Sequence, residues 1–249
     1  MESPACWFLY GFCNIGKIRF NNSSKTESIM QTIKDNPQDQ GRRRQLVQRL
    51  REKGIKDERV LQAFADTPRH LFVPASLYAH AYSDAALPIA NGQTISQPLT
   101  VAMQSQLLEV EPKLKILEIG TGSGFQAAIL KAMGAYVYTV ERQAELYKET
   151  EQRFQLLKLS IPIKLGDGYN GWEEFAPYDR ILVTCGAPEV PQKLLRQLKT
   201  GGIMVIPVGQ GRQTMTKIIR NTDNDYLSST YGDYQFVPML EKETGFTKK

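Results

Sequence analysis

Apolar and polar residues follow two different periods along this chain, and the change between them divides it near residue 113. Before that point apolar side chains recur every three or four residues, which is the period of an amphipathic helix. The spacing predicts helices over 42–53 and 57–66, and the first ends at Gly54, a typical C-terminal breaker. Their apolar faces consist of Leu46, Val47, Leu50, Val60, Leu61 and Phe64. A third helix is predicted to begin at Pro98.

From Leu114 onwards, short apolar runs alternate with amphipathic helices. The predicted strands read LKILEI, AYVYTVE, IPIKLGD, YDRILVTC and GGIMVIPV. Strands separated by helices of this length are typical of a parallel sheet covered on both faces. The segments MTKIIRN and LSSTYGDYQFVP flank an Asn-Thr-Asp-Asn-Asp turn, which predicts an antiparallel hairpin at the sheet edge. We therefore predict a doubly wound, mostly parallel α/β fold with an N-terminal helical cap and a C-terminal antiparallel hairpin.

The N-terminal residues differ in composition from the rest. Residues 21–41 are rich in Asn, Ser, Gln, Asp and Gly, so we expect residues 1–41 to form a disordered extension before a single domain over 42–249. The apolar stretch CWFLYGFC is preceded by Glu2 and is followed by no small-x-small cleavage site, which argues against a signal peptide. We expect a cytoplasmic protein.

Composition argues against several classes of function. No apolar run approaches the roughly 20 residues of a membrane helix, so we expect no membrane association. Cys6, Cys13 and Cys185 form no CxxC pair, and His70 and His80 have no metal-ligand spacing, so we expect no metal site. The sequence pI is about 9.0, but Lys and Arg are scattered apart from residues 42–44, and we expect no nucleic-acid partner.

A glycine-rich turn follows the first strand of the predicted sheet. In LEIGTGSG, Gly120, Gly122 and Gly124 allow a sharp turn and bring backbone amides close to a ligand at a helix N-terminus. The dehydrogenase pattern G-x-G-x-x-G is not met, because the third glycine comes one residue early. Glu141 ends the next strand, 21 positions after Gly120, where a carboxylate can accept from both ribose hydroxyls.

Two more acidic residues refine the expected ligand. Asp167, in GDG at the end of the third strand, is expected to meet an adenine edge. Glu118 places a negative charge near the loop, which would repel a pyrophosphate and suit a cation. S-adenosylmethionine is such a ligand, because it has a sulfonium and an α-amino group but no phosphate. The structural alternative is that Glu141 and Asp167 only cap the elements that follow them.

With these motifs in place, the run from about residue 43 to 238 resembles the protein-L-isoaspartate O-methyltransferase family. The matching segments are RHLFVP, YSDAALPI, NGQTISQP, LEIGTGSGFQAAIL, TVER, GDGYNGW, YDRILVTCGAP, GGIMVIPVG and QFVPML. Many methyltransferases share the glycine motif, whereas GQTISQP is far more specific. The resemblance implies a class I methyltransferase sheet, S-adenosylmethionine as cofactor and the L-isoaspartyl residues of damaged proteins and peptides as substrates. We expect the protein to act as a monomer.

The resemblance also assigns site residues. It implies that Ser96 is the active residue. The expected cofactor contacts, including those inferred from the residues alone, are Gln93, Thr94, Ile95, Glu118, Gly120, Gly122, Gly124, Glu141, Asp167, Gly168 and Gln213. The expected substrate contacts are Leu87, Thr94 and Ser96, with YSDAALPI forming a lid.

Ser96 has two interpretations. It stands two residues before Pro98, where a hydroxyl is well placed as the N-cap of the next helix. Alternatively, Ser96 and its neighbours donate hydrogen bonds that orient the substrate carboxylate, and the two roles are compatible. The carboxylate is already ionised at pH 7 because its pKa is near 4, so the reaction requires no general base.

Two rival functions remain open at the level of sequence. A nucleic-acid methyltransferase is favoured by the basic pI, but TCGAP stands where amino-methylating enzymes carry (N/D)-P-P-(Y/F), and Cys185 lacks the Pro-Cys context of a cytosine-C5 nucleophile. The other rival is a degenerate nucleotide-binding or interaction module that docks a partner through the basic N-terminal helix. Intact LEIGTGSG, Glu141 and Asp167 argue against such decay.

Overall fold

The computed structural model describes residues 35–240. The expectation of disorder for residues 1–34 lies outside this part of the chain. The helices are α1 (Pro37–Glu52), α2 (Glu58–Asp66), α3 (Pro98–Leu107), α4 (Phe125–Ala132), α5 (Ala144–Leu156) and α6 (Gln192–Gln197). The strands are β1 (Leu87–Pro88), β2 (Thr94–Ile95), β3 (Lys115–Ile119), β4 (Tyr136–Glu141), β5 (Ile163–Leu165), β6 (Tyr178–Val183), β7 (Leu198–Val208), β8 (Gln213–Arg220) and β9 (Tyr226–Tyr234).

The N-terminal cap begins earlier than the sequence analysis placed it. Helix α1 starts at Pro37, where Asn36 is the N-cap and its side chain accepts from the Asp39 amide. Residues 35–41 therefore belong to the folded part, and the expected boundary after residue 41 is wrong on this point. Arg43 in this helix is only 9% exposed, and its guanidinium is paired with Asp35 and the Ala65 carbonyl.

Seven strands form the main sheet, in the order β5-β4-β3-β6-β7-β8-β9. The pairs from β5 to β7 are parallel, and β7-β8 and β8-β9 are antiparallel. The predicted α/β class and the C-terminal hairpin are thus confirmed. Within residues 35–240 no helix is both long enough and apolar enough to cross a membrane.

The strand order fixes where a ligand can bind. Strand β3 is central, and the chain passes from β3 to β4 on one side but later returns to β6 on the other side. Such a reversal leaves a crevice beyond the carboxyl ends of the two strands, since the loops that follow them diverge. Strand β3 is buried along Ile116–Ile119, which fixes the position of the glycine loop that follows it.

Candidate active site

A cavity at this crevice, called the main cavity below, is built from six separated segments. Its walls come from the ends of β3, β4 and β6, from the segment after β5, from the loop before α3 and from residues 237–240. The lining residues are Gln93, Thr94, Ile119, Gly120, Gly122, Val140, Glu141, Arg142, Gln143, Gly168, Thr184, Cys185, Val237, Pro238, Met239 and Leu240. Apolar side chains and a few polar groups therefore share one concave site, as is common for small-molecule pockets.

Glycine is required at the first position of the turn after β3. Gly120 has a φ of 94°, and a Cβ there would lie 2.6 Å from Thr184 Oγ1. The Thr184 hydroxyl donates to the carbonyls of Ile119 and Gly120, at 3.0 and 2.7 Å. The absence of a side chain thus lets the end of β6 close against the turn, and backbone rather than side chain forms the cavity wall.

Glu141 provides the strongest polar feature of the main cavity. Its side chain is 4% exposed, and its two oxygens accept from the amides of Gly122 and Gln143, at 2.8 and 2.9 Å. Burial raises the pKa of this carboxyl above its usual range, while the backbone hydrogen bonds oppose the shift. Each carboxylate oxygen keeps capacity for a further acceptor bond, so Glu141 can bind a pair of hydroxyl groups.

A second, smaller cavity adjoins the first and contains Ser96. It is lined by Thr94, Ile95, Ser96, Val101, Gly120, Thr121, Gly122, Ser123, Phe125, Gln126 and Thr184. Thr94, Gly120 and Gly122 line both cavities. The Thr94–Ser96 segment and the glycine loop (120–124) therefore stand between two neighbouring spaces, as a transfer between two bound molecules requires.

Ser96 is not the N-cap of α3. The N-cap is Gln97, which makes no side-chain capping bond, and Pro98 occupies the first helical position. The free amide of Leu99 instead donates to Asp84 Oδ1 at 3.0 Å. The capping interpretation of Ser96 is therefore wrong, because the Asp84 carboxylate accepts from the free helix amide, and Ser96 lines the second cavity instead.

Glu118 does not supply the negative charge that the sequence analysis expected. It is fully buried behind the loop, where one carboxyl oxygen accepts from the Thr139 hydroxyl. Burial raises its pKa to about 8, so the group is protonated at pH 7. Glu118 is also not among the residues that line either cavity. The alternation of strand β3 directs its side chain away from the ligand side.

Four other expected contacts are not among the residues that line the two cavities. Gly124 packs against α5, and Leu87 is buried in the β1–β2 pair opposite Ile95. Asp167 accepts from the Tyr169 amide at 2.9 Å as an N-cap, while its neighbour Gly168 lines the main cavity. Gln213 accepts from the Phe236 amide at 2.8 Å and donates to the Gly211 carbonyl, so it supports the chain that leads to residues 237–240.

Sequence reasoning missed several residues of the main cavity. Arg142 and Gln143 follow Glu141 directly, and the Arg142 Nε is buried without a partner among the described residues. Thr184 and Cys185 directly follow β6, which only the strand order places beside β3. Burial raises the pKa of the Cys185 thiol to about 12, so it stays protonated.

Neither histidine takes part in the two cavities. His70 is 4% exposed, with Nδ1 2.7 Å from the Tyr82 hydroxyl, and His80 is exposed. His70 is therefore packed in the interior, and His80 lies at the surface. Among residues 35–240, no group of three or more His, Cys, Asp or Glu side chains is arranged to hold a metal ion.

Comparison with known proteins decides the family. The family model for protein-L-isoaspartate(D-aspartate) O-methyltransferase matches residues 41–244. The chain belongs to this family. A relative from Christiangramia forsetii, named protein-L-isoaspartate O-methyltransferase, is 53% identical over 210 residues, which cover 84% of this chain and 99% of the relative. One of the same name from Dictyoglomus thermophilum is 48% identical over 208 residues, covering 82% and 94%.

Solved structures agree with the assignment. A protein-L-isoaspartate O-methyltransferase with 28% identity superimposes with a TM-score of 0.71 over 79% of this chain and 65% of that one. A beta-aspartate methyltransferase from Plasmodium falciparum, solved with S-adenosyl-L-homocysteine, shares the fold with a TM-score of 0.70 at 24% identity, over 80% and 98% of the chains. The chain is therefore an enzyme of the isoaspartyl O-methyltransferase family, and its Rossmann-like sheet is that of a class I methyltransferase.

Proposed function

We propose that the enzyme methylates the free carboxylate of L-isoaspartyl residues from S-adenosylmethionine held in the main cavity. The observation that carries the cofactor assignment is Glu141, a buried carboxylate whose oxygens both lie on the wall beside the glycine loop. Family membership supports the substrate class. The second cavity, next to Ser96, is the proposed position of the isoaspartyl carboxylate.

The residues of the main cavity suit a nucleoside. Glu141 would accept from the ribose hydroxyls, because it retains acceptor capacity beside the two amides it already binds. Ile119, Val140 and Met239 provide apolar walls for an adenine ring. An acidic residue at this strand end also binds the ribose of dinucleotides, so family membership is what favours S-adenosylmethionine over a dinucleotide. Gly124, Asp167 and Gln213 would support the site without lining the main cavity.

The chemistry leaves this chain the tasks of binding and orientation. When bound, S-adenosylmethionine supplies an electrophilic methyl group on a sulfonium. The substrate carboxylate is ionised at pH 7, so the new C–O bond forms as the C–S bond breaks and no proton is transferred. The Thr94–Ser96 segment would hold the carboxylate by hydroxyl and amide donors. Alignment of reacting atoms at about 3 Å contributes several kcal/mol to such reactions.

The proposed product explains a role in protein repair. A methyl ester is a better leaving group than a carboxylate, so the following backbone amide can displace methanol and form a succinimide. Hydrolysis of the succinimide yields normal aspartyl residues in part, outside the enzyme. We also propose action in the cytoplasm as a monomer. A reducing compartment suits the unpaired Cys185 in the cavity wall.

A matched pair of peptides tests the function. The peptides are identical except that one carries an isoaspartyl and the other a normal aspartyl residue, and methyl transfer from labelled S-adenosylmethionine is measured. We expect transfer to the isoaspartyl peptide alone, because its backbone runs through the β-carboxyl and leaves the α-carboxylate free, and the family acts on residues of this kind. Cofactor binding is measured separately by calorimetry.

The calorimetric arm separates the two parts of the proposal. Cofactor binding without transfer to either peptide would reject the isoaspartyl substrate and leave the main cavity assignment intact. Absence of binding would reject the cofactor assignment. Equal transfer to both peptides would show a carboxyl methyltransferase that does not select damaged residues.

A further inference from the structure

Arg69 is a buried cation close to the second cavity. Its side chain is 1% exposed, which places it among the largest fully buried side chains in the described part of the chain. It stands at the start of a short 3₁₀ helix, Arg69–Phe72, that joins the helical cap to the loop before β1. Burial of a guanidinium is costly unless several hydrogen bonds compensate for the lost solvation. The contacts of this side chain therefore call for a functional explanation.

The contacts of Arg69 are few and specific. Nη2 donates to the backbone carbonyl of Ser96 at 2.9 Å, and the guanidinium carbon lies 4.8 Å from the centre of the Phe125 ring. Nε and Nη1 have no hydrogen-bond partner within residues 35–240. Burial lowers the pKa of Arg69 to about 9, opposed by the charge of Asp84, so the side chain remains a cation at pH 7.

These two contacts connect the two segments that line the second cavity. Ser96 ends the Thr94–Ser96 segment, and Phe125 is the first residue of α4 after the glycine loop. Both residues line the second cavity. Arg69 therefore spans the distance between the proposed substrate loop and the proposed cofactor loop from behind, through one hydrogen bond and one cation–π contact.

We propose that Arg69 is a positioning residue for methyl transfer, which holds the Ser96 carbonyl and thereby sets the Thr94–Ser96 segment against the glycine loop. This inference rests on the proposed function, because it assigns the substrate carboxylate to the second cavity. A guanidinium with two unsatisfied N–H groups contributes little to stability, whereas a segment displaced by about 1 Å can cost about 100-fold in rate. The charge of Arg69 thus serves to align the Thr94–Ser96 segment and not to stabilise the folded protein.

Two substitutions at this position test the proposal on the isoaspartyl peptide. Arg69→Met keeps the length and apolar contact with Phe125 but removes the donor. We expect kcat to fall by about 10- to 100-fold with a small change in the peptide KM and an unchanged or higher Tm. Arg69→Lys keeps a charge and one donor with a shorter reach, so we expect kcat to lie between the values of the wild type and the methionine variant.

Arg43→Met is the matched control. Arg43 is also buried, but it is paired with Asp35 and the Ala65 carbonyl in the helical cap and lines neither cavity. Its removal should lower Tm and leave kcat unchanged at a temperature where the variant is folded. Substitution of Arg69 should thus lower kcat without lowering Tm, whereas substitution of Arg43 should lower Tm without lowering kcat.

The outcomes are distinct. A wild-type kcat in Arg69→Met, equal kcat in the Met and Lys variants, or a Tm loss that accounts for the lost activity would each overturn the positioning role. If the methionine variant does not fold, Arg69→Lys decides alone: a lowered kcat at unchanged Tm supports the role, and a wild-type kcat rejects it. Failure of the wild type to methylate the isoaspartyl peptide would instead reject the proposed function.

Discussion

At the scale of single residues, a side chain is available to the site when another residue makes the structural hydrogen bond that it would otherwise make. Asp84 binds the Leu99 amide at the start of α3, so the helix does not need the hydroxyl of Ser96. Ser96 therefore lines the second cavity and does not cap the helix. A substitution of Ser96 can therefore change the reaction rate without changing stability, whereas substitution of a serine that capped the helix would change both.

Ser96→Ala should lower kcat with little change in Tm. Loss of one donor to a reacting oxygen costs on the order of 100-fold in rate, while the helix retains its Asp84 contact. Steady-state kinetics on the isoaspartyl peptide and thermal unfolding measure the two quantities. Ser160→Ala is the control, because Ser160 is exposed and lines neither cavity. A Tm decrease in Ser96→Ala of several degrees would contradict this separation.

At the scale of elements, the turn from β3 into α4 is held against α5 by Gly124. This residue has a φ of 84°, and an added Cβ would lie 2.5 Å from the Phe154 ring and 2.8 Å from Thr150 Cγ2. The Thr150 hydroxyl also donates to the Gly122 carbonyl at 2.6 Å. The position of the glycine loop thus depends on close approach of α5, which holds the loop in place from outside the cavity.

Gly124→Ala should destabilise the protein by about 2–4 kcal/mol, from a strained backbone and an overpacked contact together. Gly54→Ala isolates the first cause, since Gly54 has a φ of 98° but nothing within 4 Å of an added Cβ. We expect this control to cost only about 1 kcal/mol. Urea unfolding compares the two free energies. Equal losses would show that the contact with Phe154 and Thr150 relaxes without cost.

At the scale of the whole molecule, two buried groups make stability depend on pH in opposite directions. Burial lowers the pKa of His70, so its contribution is present above the unfolded value of 6.5 and is lost as pH falls through the folded value. Burial raises the pKa of Glu118 from 4.5 to about 8, so its contribution is present below 4.5 and is lost as pH rises through about 8. The two effects oppose each other below pH 6.5, and above that value only the Glu118 contribution is still being lost as pH rises towards about 8.

Glu118→Gln should remove the loss of stability at high pH. The amide has the shape of the protonated carboxyl and cannot ionise, so the difference in Tm between variant and wild type should grow from pH 5 to pH 9, to a few degrees. Thermal unfolding across this range measures the difference. The exposed Glu189 offers a control, because Glu189→Gln makes the same substitution at the surface, where the effect on Tm should be small. A pH-independent difference for Glu118→Gln would contradict a buried, neutral carboxyl.

The sequence by itself determined the fold class, the family and the elements. Apolar residues recur every 3.6 positions on the buried side of a helix and every 2 positions on the buried side of a strand. The pattern can therefore be recognised from a short stretch of sequence. The glycine loop, Glu141 and the NGQTISQP segment could also be identified, because turns that need glycine and strand ends that need a carboxylate have fixed spacings. These local signals located one side of the site, the one that follows β3 and β4.

Only the tertiary structure decided which distant residues meet there. The strand order brings Thr184 and Cys185, which follow β6, beside the end of β3, and Gln213 supports the segment that supplies Met239. Asp84 replaces Ser96 as the cap, and Arg69 reaches Ser96 across 27 positions of sequence. Long-range contacts of this kind produce no periodic pattern in the sequence, because each of the two residues fits the apolar and polar pattern of its own helix, strand or loop. Their energies come from burial and pairing that exist only once the sheet has formed.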